Sequence, residues 1–194
     1  MKSSLLNMVL SLGIITIVAA GLLSWIFTIT EQPIAQANLN KQIEAVKAVT
    51  PEFDNDPVAE AVEITPAGED KALKVFPARK DGQLVGAAVE SYSSKGFSGD
   101  IKLIYGFDQN GVITGYAVME HAETPGLGAK MGDWFNEGGK GNVIGMNATE
   151  GSLTVSKDGG QVDAITAATI TSRAFLDALN RAAAAFTALK AEEN

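Results

Sequence analysis

Cysteine is absent from this 194-residue chain. Its absence removes disulfides, thiolate-held iron–sulfur clusters and cysteine nucleophiles together. The single histidine, His121, excludes a multi-histidine metal centre built within the chain, and no metal site is expected. Any redox chemistry therefore needs an organic cofactor or a partner protein. Aromatic residues are sparse at 7%, whereas glycine supplies 20 positions, a balance that favours an α+β domain with many tight turns over a helical bundle. Basic residues number 15 against 23 acidic ones, for a formal net charge of −8. A phosphate backbone repels such a chain, and nucleic-acid binding is set aside. What is plentiful is hydrophobic residues, 46% of the total, enough for one core-bearing domain plus an accessory segment.

Residues 5–29, LLNMVLSLGIITIVAAGLLSWIFTI, carry no charge. As a helix rising about 1.5 Å per residue they exceed the roughly 30 Å hydrocarbon thickness of a bilayer. Trp25 and Phe27 suit an interfacial belt near the end of the span. A cleaved signal peptide is the competing reading, with an Ala-x-Ala pattern at Ala35 to Ala37. The apolar stretch is longer than an h-region of about 7–15 residues, and the pattern lies several polar residues beyond it, so a retained anchor is expected. Lys2 and the amino terminus precede the span and Glu31 is the first charge after it. The positive-inside tendency then leaves the amino terminus cytoplasmic and the bulk of the chain extracytoplasmic.

Residues 33–50 read as a second helix, with Ile34, Leu39, Ile43, Val46 and Val49 near helical spacing, Pro33 in the first turn and Pro51 after the end. Residues 52–69 are acidic, hold Pro57 and Pro66, and read as a connecting loop. Strands are expected at 73–78 and 84–92 around the Asp81-Gly82 turn, and at 100–107 and 112–119 around Asp108 to Gly111. A Gly-rich stretch follows at 123–145, then a short strand at 152–156. The chain finishes in a helix from about 172 to 190 whose Phe175, Leu176, Leu179, Ala183, Phe186 and Leu189 form one stripe. The expected fold class is α+β: a single N-terminal transmembrane helix, an antiparallel sheet and a C-terminal helix. The division is an anchor at 1–30, a helical and loop connector at 31–70, and the main domain at 71–194.

Two segments hold residue types suited to a ligand. In Asp163-Ala164-Ile165-Thr166-Ala167-Ala168-Thr169-Ile170-Thr171-Ser172, a hydroxyl-rich run leads into the last helix. Free N–H groups and the positive end of the helix dipole favour a phosphate there, with the Thr169 hydroxyl beside it. A plainer alternative stays open, in which Thr171 or Ser172 caps the helix and the rest is a packed turn. In His121-Ala122-Glu123-Thr124-Pro125-Gly126-Leu127-Gly128-Ala129-Lys130, a tight Pro-Gly turn can approach a flat ligand closely. It can equally be a connecting loop with a solvated Glu123. Trp134 and Phe135 read as core.

Taken together, HAETPGLGAK and DAITAATITS resemble the FMN-binding domain found in the G subunit of Rnf-type electron-transport complexes. The same domain is shared with the C subunit of the sodium-translocating NADH:quinone oxidoreductase. GFSGDI at 96–101 and the GVI turn at 111–113 are similar as well. The resemblance implies FMN joined covalently through its phosphate to the last threonine of a sequence close to Asp-x-x-Ser/Thr-Gly-Ala-Thr, which is Thr169 here, placed there by a flavin transferase. Asp163, Thr166 and Ala168 match that pattern and Ile170 follows it. Glu123, Thr124, Gly126, Leu127 and Gly128 are the residues it implies near the cofactor. At Ala167 the sequence departs from the family's Gly, and a backbone needing positive φ would strain Ala by roughly 1 kcal/mol or more.

The implied function is electron relay within a membrane ion-translocating ferredoxin:NAD oxidoreductase complex, with no catalytic site of the chain's own. The other subunits of such a complex are the expected partners. The quinone-reductase C subunit, a membrane-anchored flavin-binding sensor and a non-flavin protein keeping only the fold are the alternatives. A chain of 194 residues favours the Rnf reading, since the quinone-reductase relative tends to be longer.

Overall fold

The computed structural model describes residues 2–193 and divides them at 42/43 into two compact units. The first unit holds most of helix α1, Lys2–Val49. Its side chains from Leu5 to Ile34 include many large apolar groups exposed to the surroundings. One helix is therefore long and apolar enough to cross a membrane. The amino terminus and the Lys2 side chain, on which the orientation argument rests, lie outside the described residues.

The two helices expected at 5–29 and 33–50 are one. Pro33 lies inside it, although its ring removes one N–H donor and crowds the Ile29 carbonyl, a local defect that membrane-spanning helices tolerate. Thr28 and Thr30 hydroxyls donate to the Ser24 and Ile26 carbonyls in the turn just before it.

The second unit is a five-stranded antiparallel meander in the order β1-β2-β3-β4-β5. Its strands are β1 Val62–Ile64, β2 Leu73–Lys80, β3 Gln83–Ser93, β4 Ile101–Asp108 and β5 Ile113–Glu120. β1 lies in the stretch read as a loop. Val62 and Ile64 alternate around Glu63 and pair with Val75 and Leu73, so only the flanks are irregular. The Asp81-Gly82 turn has positive φ at both residues, 52° and 77°, as a two-residue hairpin requires. Residues 152–156 do not form a strand. Val155 makes one isolated parallel bridge to Val162 and a 3-10 turn follows at Ser156–Asp158.

A single-turn helix α2, Met131–Trp134, follows the sheet, and helix α3, Thr169–Glu193, covers one face of it, burying Phe175, Leu179 and Phe186 against Leu103, Tyr105 and Phe107. The last turns of α1 cover the other face, where Val46 and Val49 meet Phe76, Ala88 and Ile104. Here glycine is obligatory, because a Cβ on Gly106 would collide with the Val49 carbonyl oxygen. The Thr114 hydroxyl donates to that same carbonyl.

Candidate functional site

α3 starts three residues before the expected Ser172, and the turn ahead of it explains why. Ala168 N–H donates to Ile165 O at 3.0 Å, with Ala167 between them at φ 62°. Ser172 is no cap but an internal brace: its hydroxyl accepts from Ile165 N–H at 2.9 Å and donates to Ala168 O at 3.0 Å. The first intrahelical bond runs from Ser172 N–H to Ala168 O. The N–H groups of Thr169, Ile170 and Thr171 precede it and carry the positive end of the helix dipole. Behind the turn, Trp134 Nε1 donates to the Asp163 carbonyl at 2.8 Å and the Ser156 hydroxyl to the Asp163 carboxylate at 3.0 Å.

The loop at 121–130 folds on itself, with Leu127 and Ala129 N–H both donating to Thr124 O and Gly126 at φ 77°. Glu123 is only 4% exposed, so its carboxylate must find partners inside the protein. One oxygen accepts from Ser98 N–H at 2.9 Å and the other from the Thr171 hydroxyl at 2.6 Å. A single carboxylate thus joins the 96–99 loop, the 121–130 loop and α3. Gly128 makes this possible, since a Cβ there would lie 2.5 Å from Glu123 Oε2 and 2.6 Å from Thr171 Oγ1. Just beyond, Tyr116 donates to Met131 O at 2.6 Å. Burial pushes that phenol's pKa well up, keeping it a donor.

Between the two segments lies a cavity of about 310 Å³. Glu123, Thr124, Leu127 and Gly128 form one wall; Ala168, Thr169 and Ile170 form the other. The remaining expected residues do not line it. Asp163 and Thr166 are exposed in the turn that sets α3, and Gly126 bends the opposite loop. Sequence reasoning missed three contributors. Thr171 was weighed only as a cap. Phe97, on the rim, sits in the GFSGDI motif without an assigned role. Lys157 lies twelve residues from Thr169, yet its ammonium donates to Thr169 Oγ1 at 3.1 Å. No spacing signals that contact, because a chain reversal at Gly159, φ 86°, creates it.

These features fit FMN. Phe97, Leu127 and Ile170 stay 68%, 41% and 48% exposed, offering apolar surface of the kind a flat aromatic ring covers. At the α3 end, free N–H groups, a threonine hydroxyl and a lysine suit a phosphate.

A family model described as the FMN-binding domain matches residues 96–184, a span that includes Phe97, the 121–130 loop and the start of α3. The G subunit of the ion-translocating oxidoreductase complex of Aliivibrio fischeri is 35% identical over 190 residues, covering 93% of this chain and 87% of that protein. The G subunit from Yersinia pestis is 38% identical over 173 residues, covering 85% and 82%. That of Vibrio cholerae serotype O1 is 32% identical over 187 residues, covering 89% and 86%. With such relatives matched along most of their length, this chain belongs to the family of G subunits of ion-translocating oxidoreductase complexes and contains an FMN-binding domain.

Proposed function

We propose that the chain is the electron-relay subunit of an Rnf-type complex, which passes electrons between reduced ferredoxin and NAD and couples this to ion movement across the cell membrane. FMN is held by a phosphoester to Thr169 Oγ1. One observation carries the reading: the Thr169 hydroxyl stands where the cavity meets the start of α3, hydrogen-bonded by Lys157. Bound there, the flavin supplies electron exchange at its ring system. The chain's residues do the rest. Leu127, Gly128 and Ile170 give the ring an apolar seat, Thr124 offers a hydroxyl at the wall, and Glu123 fixes the loops that shape it. Asp163, Thr166, Ala168 and Gly126 set the turns that present these groups. Thr169 is an attachment point, and the chain has no catalytic residue of its own; the ferredoxin and NAD sites belong to partner subunits.

In this reading residues 1–30 anchor the chain in a single pass, residues 31–70 connect the anchor to the sheet and add the last turns of α1 and strand β1 to it, and residues 71–194 carry the cofactor on the extracytoplasmic side. A tether suits that compartment, where released FMN is not readily replaced. A flavin transferase loads the chain during maturation. Co-expressed with such an enzyme, the full chain should fluoresce as a flavin band in a denaturing gel and gain the mass of one FMN less water. Thr169→Ala should abolish both signals, and equal fluorescence in that variant would sink the assignment.

A further inference from the structure

Lys157 is held from both sides. Ser156 before it is bonded to Asp163, and Asp158 after it is clamped by Arg173, whose Nε and Nη2 each donate to the carboxylate at 2.7 Å. The Val155–Val162 bridge and the Gly159 reversal fix the same turn. The adjacent carboxylate is already engaged: the Arg173 hydrogen bond holds the Asp158 pKa below the usual carboxylate range. Among the described residues Lys157 forms no ion pair, and its one recorded hydrogen bond is to Thr169 Oγ1 at 3.1 Å. Lys157 adds to the charge that Asp158 feels but is not its ion-pair partner, which is Arg173. The turn therefore delivers one ammonium to one hydroxyl, on a chain whose net charge of −8 otherwise repels an anionic nucleotide.

We propose that Lys157 is a positioning residue for flavin attachment, holding the phosphate of the incoming flavin nucleotide against Thr169 Oγ1. The proposal rests on Thr169 being the acceptor. Esterifying an alcohol with a phosphate requires an activated donor, here a flavin nucleotide joined to a second phosphate as an anhydride. The Oγ1–P bond forms and the anhydride P–O bond breaks. The second phosphate leaves with the bridging oxygen, and the hydroxyl proton passes to a base of the transferase; nothing is oxidised or reduced. Negative charge builds on the non-bridging phosphate oxygens during this exchange, and an ammonium fixed beside the nucleophile stabilises it. In the finished ester the same ammonium pairs with the remaining phosphate charge.

The test uses the full chain in detergent, a flavin transferase and flavin adenine dinucleotide as the anhydride donor. It follows initial rates of in-gel flavin fluorescence, intact mass and the melting temperature of the unloaded chain. Lys157→Met should load roughly tenfold more slowly than wild type, the loss expected for one exposed charge-assisted hydrogen bond, with unchanged melting. Lys157→Arg should return the rate to within about threefold, and Lys102→Met, which removes an exposed cation on β4, should load like wild type. Equal rates for Lys157→Met and wild type would overturn the proposal while leaving attachment at Thr169 standing. Equally slow Met and Arg variants with lowered melting would also overturn it, marking Lys157 as structural. A wild-type chain that gains no mass at Thr169 defeats the attachment reading itself, and this proposal with it.

Discussion

At Ala167 the side chain stands against its own backbone. A φ of 62° is left-handed, a region in which a Cβ crowds the following carbonyl and which glycine enters freely. The Ala168 and Ser172 bonds on either side impose the conformation, so the strain is locked in by the turn that starts α3. Ala167→Gly should raise stability by about 1 kcal/mol, read as a melting-temperature gain of roughly 2–4 °C for a chain of this size, with flavin loading no lower than wild type. A drop in melting temperature would show that the methyl's contact with the cavity outweighs the strain. Glu123 presents the opposite case, a buried group whose two carboxylate oxygens both have partners. Glu123→Ala strands the Ser98 N–H and the Thr171 hydroxyl and should cost about 1–3 kcal/mol. Glu123→Gln keeps one acceptor and should cost less, as urea unfolding of the two variants would register. Sequence pattern located both segments that form the cavity, because hydroxyl-rich helix starts and Pro-Gly turns are local features. It did not reach Lys157 or the Glu123–Thr171 bond. Each depends on chain reversals that bring distant residues together, and no short-range spacing encodes those.

Among the elements, α3 is the one that ties cofactor site to core. Its first turn lines the cavity while Phe175, one and a half turns on, stacks on Phe135 at 4.1 Å and meets Tyr105 and Tyr116 edge-on. Two sheet hydroxyls also grip its backbone: Tyr105 donates to Phe175 O at 2.8 Å and Ser91 to Ala178 O at 2.7 Å. Phe175→Ala should cost about 3–5 kcal/mol through the lost aromatic contacts and the cavity left behind, measured by chaotrope unfolding. Lower down, Asp177 links α3 to β3. Burial pushes its carboxyl up, but hydrogen bonds from Lys95 and Ser93 and the Lys95 and Arg181 charges outweigh that and hold it below the usual value. A depressed folded-state pKa means stability that is present above about pH 4 and lost as the pH falls through the lower folded value. Asp177→Asn should therefore melt below wild type at neutral pH, with the gap closing under more acid conditions; a gap independent of pH would refute the linkage. The stripe on α3 and the alternation on β4 were legible because burial on one face writes a period into sequence. β1 was not, since three residues between prolines carry too little pattern to separate a strand from a loop.

For the molecule as a whole, the distribution of charge and apolar surface matters more than any single contact. A helix with an exposed apolar stretch at one end of the chain and an acidic domain at the other have different solvents. A helix that long and apolar needs a bilayer or detergent to cover it, whereas the domain buries its own core. Sequence registered this division as an uncharged run, though it did not register that the helix continues through Pro33 to Val49. Which side of the membrane the domain takes follows, in the proposed reading, from the lone basic residue before the span and Glu31 after it. Protease added to intact spheroplasts should then digest the domain and leave a short protected fragment, and inverted membrane vesicles should shield it. Adding lysines after the span, at Gln32 and Gln36, would oppose the charge difference and should increase the protected fraction in spheroplasts. If the wild-type domain is instead shielded in spheroplasts and cut in inverted vesicles, it faces the cytoplasm. The tether at Thr169 would then need a reason other than the loss of free FMN from an external compartment.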